Sequence, residues 1–139
     1  MVPEPRKLGL APGQPILVRH APQEFLAELR EQLPPGARLT TRLSPTVRYD
    51  LILYWPGEDE DFDELFNRLQ HALESNGALW IVIPNKRAAQ ARGLRHYDWN
   101  ALLASALKTT LVDNKTLSFS PEEYGTRFVI RKIHRERVE

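Results

Sequence analysis

Between Tyr49 and Pro84 two mainly apolar runs bracket a segment of helical periodicity, and this arrangement limits what the chain can fold into. The first run is Tyr49-Asp50-Leu51-Ile52-Leu53-Tyr54-Trp55, and the second is Ala78-Leu79-Trp80-Ile81-Val82-Ile83. Short runs that are apolar on both faces suit strands covered from both sides of a sheet. Between them Phe62, Leu65, Phe66, Leu69 and Leu73 trace one face of a helix. Acidic residues from Glu58 to Asp61, with Asp63 and Glu64, crowd the start of that helix, where its dipole favours negative charge. Asn76-Gly77 reads as a left-handed stop. Strand, helix and strand in this order make a parallel βαβ unit with a right-handed crossover.

The flanking segments extend the same pattern. Residues 1–13 are proline-rich and are expected to lie as an arm on the surface. Ile16-Leu17-Val18 is a buried-strand run, followed by a helix from about Pro22 to Leu33 and a modest strand from Arg38 to Leu43. Asn85 to His96 reads as a basic loop, and Asp98 to Leu107 as a helix with Trp99, Leu102, Leu103 and Ala106 inward. Two last strands, about Leu111 to Phe119 and Thr126 to Ile133, are joined by a connection short enough only for an antiparallel pair. The expectation is an α/β domain over residues 14–134, a three-layer Rossmann-like fold with helices on both faces of a mostly parallel sheet. The expected strand order is 2-1-3-4-6-5, with the last strand antiparallel and a charged tail at 135–139.

Composition excludes several function classes. The chain of 139 residues has no cysteine, so disulfides and thiolate metal sites are ruled out. Its four histidines form no pair at helical spacing, and no metal is expected. A net charge of +1 gives no global field to attract nucleic acid or a membrane surface. No apolar run reaches the roughly 20 residues of a bilayer span. A cytoplasmic protein is expected.

Two resemblances follow from particular residues. Ala72-Leu73-Glu74-Ser75-Asn76-Gly77 between a strand and an apolar strand, followed by a helix and a closing hairpin, is similar to the later half of class I S-adenosylmethionine-dependent methyltransferases. A second set covers nearly the whole chain: Leu8 to Gln14, Leu79-Trp80-Ile81, Pro84-Asn85-Lys86, Leu111-Val112-Asp113-Asn114-Lys115 and Gly125 to Val129. It resembles a family of small bacterial proteins known as domain of unknown function 3052. The chain has Glu-Tyr-Gly-Thr-Arg from Glu123 to Arg127 where that family is expected to have Trp-Ser-Gly-Leu-Arg. The resemblance implies a Rossmann-like fold and no established activity.

In an open parallel sheet ligands bind beyond the carboxyl ends of the strands, where the strand order reverses. Here that crevice lies between the first and third strands. Its expected ligand-binding residues are His20, Trp55, Asn85, Lys86 and Arg127. His20 is either a base or anion ligand beside the helix start, or an exposed strand-end residue. Trp55 either stacks on a ligand or closes the core. The basic loop with Arg87, Arg92, Arg95 and His96 either grips phosphate, is solvated, or pairs with the acidic run at Glu58 to Glu64. Asp113, Asn114 and Lys115 are read as structural, through turn hydrogen bonds or a charge pair.

A methyltransferase of this fold would carry Gly-x-Gly after the first strand and an acid after the second. The chain has Arg19-His20-Ala21-Pro22-Gln23 and Thr40-Thr41-Arg42-Leu43-Ser44 there. S-adenosylmethionine is therefore not expected, and neither is any other cofactor. The sequence reading favours a non-methyltransferase binding or scaffold domain over an enzyme. Its partner would be a protein, a second copy or a small anionic ligand, with nucleic acid and membrane disfavoured. The alternative is an enzyme acting on a small phosphorylated or nucleotide-like substrate at the crevice. No catalytic residue is assigned.

Overall fold

The computed structural model describes residues 2–57, 59–93 and 98–134. Glu58, Arg95, His96 and the tail at 135–139 fall outside the described residues. Six strands form one sheet: β1 (Pro15–Arg19), β2 (Arg38–Thr40), β3 (Tyr49–Tyr54), β4 (Leu73–Pro84), β5 (Leu111–Ser118) and β6 (Glu123–Ile130). Their order is β2-β1-β3-β4-β6-β5, as the crossovers require. The first four strands pair in parallel, and β6 runs antiparallel to both β4 and β5.

Alternation along the strands divides the core into two layers. Leu17, Ile52, Leu79, Ile81 and Phe128 face α3 (Phe62–Ala72) and α5 (Trp99–Leu107). Ile16, Val18, Leu51, Leu53, Trp80 and Val82 face the other way, where α2 (Gln23–Glu31) supplies Phe25 and Leu29. Helix starts are fixed locally. Asp61 caps α3 by accepting from the Glu64 amide at 3.3 Å, and Asp98 caps α5 through the Asn100 amide at 2.9 Å. Among the described residues no helix is long and apolar enough to cross a membrane.

Four local expectations are corrected. The amino-terminal arm does not merely lie on the surface. A short helix, α1 (Pro5–Leu8), drives Leu8 into the core beside Val2. The Leu8 carbonyl accepts a buried hydrogen bond of 3.0 Å from the Trp80 indole. One helix, α2, leaves apolar sheet surface uncovered on that face, and the arm completes the layer.

Asn76-Gly77 does not stop α3. The helix passes directly into β4 at Leu73, which is extended. Gly77 is a buried strand residue without positive φ. A Cβ there would lie 2.9 Å from Leu73 Cδ1 and 3.0 Å from the Asp50 and Tyr49 carbonyl oxygens. Glycine is needed because β3 approaches closely, next to the register shift between Tyr49 and Leu51.

The basic segment after β4 is not a loop. It forms α4 (Lys86–Arg92), which ends at Gly93 in the left-handed conformation. The last strand begins at Glu123, three residues earlier than its apolar pattern suggests, because β4 continues to Pro84 and offers partners that far.

Gly77→Ala tests the close approach. The added methyl is expected to destabilise the fold by about 1–3 kcal/mol, since two of its neighbours are backbone oxygens that cannot rotate away. Urea denaturation measures this, and an unchanged midpoint would refute the packing argument.

Candidate functional site

The sheet order reverses between β1 and β3, so the crevice outside their carboxyl ends is the natural ligand position. β1 ends at Arg19 opposite Tyr54, the last residue of β3. The Arg19 guanidinium donates to the Thr41 carbonyl at 3.0 Å and so ties the exit of β2 to that of β1. His20 follows with φ of 62°, in the left-handed region, and among the described residues no other non-glycine residue has a positive φ. Its exposed ring meets Tyr54 edge-on, with centroids 5.6 Å apart.

Tyr54 is the polar centre of this end. The ring is only 3 % exposed, and its hydroxyl donates to Glu60 Oε1 at 2.7 Å. Burial first, then the hydrogen bond and charge of Glu60, push the phenol up to about 12, while the Arg68 and Arg19 charges oppose the rise. Glu60 was legible only as part of an acidic helix start. No signal in the sequence places a loop carboxylate six residues on against the strand-end phenol.

Trp55 closes the opposite side. Its amide donates to the Arg19 carbonyl at 3.1 Å, and its ring packs edge-on to Phe25 and Phe119 at 4.9 and 5.9 Å. The side chain is 7 % exposed, yet the indole Nε1 has no hydrogen-bond partner among the described residues. An orphaned buried donor costs about 1–3 kcal/mol, so this atom is the crevice's clearest unmet demand. Phe25 and Phe119 were not among the expected residues. The chain distance between them hid their contact.

The other expected residues disperse. Asn85 is structural: Oδ1 accepts from the Ala88 amide at 2.8 Å to cap α4, and Nδ2 donates to the Pro121 carbonyl at 3.0 Å. Lys86 and Arg87 are exposed on α4. Arg92 pairs with Glu122 of the β5–β6 connection and not with the acidic run. From that run Asp63 pairs instead with Lys108 of α5, at 2.9 Å. Arg127 lies opposite Trp80 and Lys115 in the middle of the sheet, well inside the crevice edge. Asp113 and Lys115 flank a register shift in β5 centred on Asn114, and Lys115 Nζ sits 5.6 Å over the Trp80 ring. Among the described residues no three His, Cys, Asp or Glu side chains are grouped to hold a metal.

No family model and no curated protein matches the chain. Solved structures do. A TehB-like S-adenosylmethionine-dependent methyltransferase from Corynebacterium glutamicum matches 87% of this chain and 82% of its own, at 14% identity and a TM-score of 0.55. An S-adenosylmethionine-dependent methyltransferase from Clostridium acetobutylicum matches over 91% and 87%, at 12% identity and a TM-score of 0.59. The glycopeptide N-methyltransferase MtfA, complexed with sinefungin, matches over 91% and 90%, at 10% identity and a TM-score of 0.57. The chain has the Rossmann-like fold of these methyltransferases.

That finding corrects two expectations, the non-methyltransferase binding domain and the exclusion of S-adenosylmethionine. Both rested on the missing glycines after β1 and the missing acid after β2. For the turn itself the structure shows why glycine was a weak ground: His20 takes up a left-handed conformation at that place.

Two predictions test this end of the sheet. His20→Val is expected to destabilise by about 1–2 kcal/mol, because a β-branched residue tolerates a positive φ poorly, whereas His20→Gly keeps the turn. Chemical denaturation of both variants measures the difference. The second concerns Tyr54. An unfolded tyrosine ionises near 10 and the folded Tyr54 near 12, so its contribution to stability is complete below pH 10 and is lost as the pH rises to about 12. Glu60→Gln should lower the folded value towards 10 and narrow that window, read from tyrosinate absorbance. An unchanged titration would show that Glu60 does not hold the phenol.

Proposed function

We propose that the chain is a methyltransferase-like protein that takes an S-adenosylmethionine-type ligand in the crevice outside the carboxyl ends of β1 and β3. The observation that carries this reading is the sheet itself, whose order reverses at the same crevice across a fold held in common with S-adenosylmethionine-dependent methyltransferases. The residues fit such a ligand in part. The Trp55 Nε1–H is a buried donor without an acceptor, which a ligand oxygen would satisfy. The exposed His20 ring stands at the turn after β1, within reach of an incoming ligand. The exit of β2, Thr40-Thr41, carries no carboxylate for ribose hydroxyls, and Glu60 brings a carboxylate to the end of β3 through its bond to Tyr54.

When bound, the ligand supplies an electrophilic methyl group on a sulfonium. The chain's own part is to bind and orient it: Trp55 as a donor, His20 and Tyr54 as a wall, and Phe25 with Phe119 as the apolar backing that keeps Trp55 in place. A cytoplasmic setting belongs to the same reading.

Kinship with domain of unknown function 3052 is a further part of the proposal. Its supporting stretches meet in space: the Leu8 carbonyl bonds the Trp80 indole, and Lys115 lies over the same ring. These residues hold the arm and the hairpin to β4, a structural role that suits a resemblance bringing a fold and no activity.

Titration of labelled protein with S-adenosylmethionine and with sinefungin tests the reading. Saturable amide shifts are expected at Arg19 to Ala21 and Trp55 to Gly57. Trp55→Phe keeps the ring and removes one hydrogen bond of about 1 kcal/mol, so it should weaken binding about fivefold. Absence of saturable shifts with both ligands at millimolar concentration would overturn the proposal.

A further inference from the structure

A second concave site lies away from the crevice, between the connection from β2 to β3 and the carboxyl-terminal half of α3. The cavity measures about 410 Å³, within the usual range of about 300–1,000 Å³ for ligand pockets. Arg48, Arg68 and His71 stand on its walls, and Ser44 and Thr46 contribute hydroxyls. Leu43, Val47 and Ala72 give it an apolar lining. Among the described residues no carboxylate lines it. A neighbouring cavity of about 440 Å³ shares Ser44 and Val47, adds Arg38 and Arg42, and likewise has no carboxylate among the described residues that line it. The sequence explains this concentration. From Gln32 to Tyr49 there is no acidic residue and there are three arginines, in a chain whose net charge is only +1.

The wall is preorganised. The Ser44 amide donates to the Tyr49 hydroxyl at 3.2 Å, and that hydroxyl donates to the Arg42 carbonyl at 3.4 Å. Ser44 Oγ accepts from the Thr46 amide at 3.3 Å and shares a hydrogen bond of 3.1 Å with Thr46 Oγ1. A pair of hydroxyls spends only one of its two protons on that bond, which leaves the other for a ligand. On α3, Arg68 and His71 are one turn apart on the same side. Neither makes an ion pair with a described residue. His71 lies in the last helical turn, where a basic side chain suits the dipole, and Arg68 lies before it. The dipole alone does not account for an apolar cavity in front of them or for the further arginines behind it.

We propose that this cleft binds a small organic oxyanion, a carboxylate or a phosphate ester carried on an apolar body. The guanidinium fork of Arg68 matches such a group, His71 and the Ser44–Thr46 pair complete its hydrogen bonds, and Leu43 with Val47 takes the apolar part.

Benzoate, phenyl phosphate and neutral benzyl alcohol, each titrated into the labelled protein at constant ionic strength, test this. Saturable shifts at Ser44 to Val47 and at His71 are expected with an anion and not with the alcohol. Tighter phenyl phosphate would assign a phosphate ester, and tighter benzoate a carboxylate. Arg68→Gln should weaken binding about tenfold, and His71→Gln severalfold, with the fold retained in both because the side chains are exposed. Equal shifts with benzyl alcohol, undiminished affinity in the double variant, or no saturation by about 10 mM would overturn the proposal. These shifts lie apart from those expected at His20 and Trp55, so this site and the crevice succeed or fail separately.

Discussion

The buried hydrogen bond from the Trp80 indole to the Leu8 carbonyl joins residues 72 positions apart and fixes one whole layer of the molecule. Trp80 is fully buried in β4, the strand between the parallel half of the sheet and the antiparallel hairpin. Its ring packs edge-on to Phe119 at 5.6 Å, and Phe119 in turn stacks on Phe25 and meets Trp55. The arm, the hairpin connection, α2 and the floor of the crevice thus share one aromatic cluster. A bare indole N–H in that position would be an unmet buried donor, so the arm must be in place for the central strand to be satisfied. Gly125 fits the same cluster, since a Cβ there would come within 2.5 Å of the Phe119 ring.

Much of this architecture is legible in the sequence, and for a definite reason. β1, β3 and β4 are covered on both faces, so their apolar runs are nearly continuous and point to parallel strands. The lengths of the connections then leave few orders open, and the observed one is the order expected. Local chemistry is also visible where it is strictly local, as in the caps by Asp61 and Asp98.

Contacts between distant segments stayed hidden. Gly77 looks like a helix stop because Asn-Gly often is one, but its need for a small side chain comes from two carbonyls of β3. The basic stretch after Pro84 looks like a loop because its charges mask a short helix, which the Asn85 side chain starts. The aromatic cluster and the Tyr54–Glu60 pair each join segments whose approach no periodicity encodes. At the crevice, the fold position was readable and the ligand type was not. Glycine spacing is a signal for a backbone shape, and His20 reaches a left-handed turn by another route.

The two proposed sites sit at opposite ends of α3, and the polarity of that helix explains the division between them. Its first turn carries Asp63 and Glu64 behind the Asp61 cap, with Glu60 just ahead, facing the exits of the parallel strands. Its second half carries Arg68 and His71. Asp63 and Glu64 complement the amino-terminal end of the dipole, whereas Arg68 lies in the body of the helix, outside the last turn. The helix therefore lies between the two places, and Arg68 belongs to both: it stands on the wall of the second cavity, and its charge still reaches the Tyr54 phenol, where Arg19 adds to it. The Glu60 carboxylate and these two arginines oppose each other at the phenol, and burial decides the direction of its shift. A net charge of +1 conceals this arrangement, because local balances of carboxylate, guanidinium and burial set the chemistry at each end of the helix.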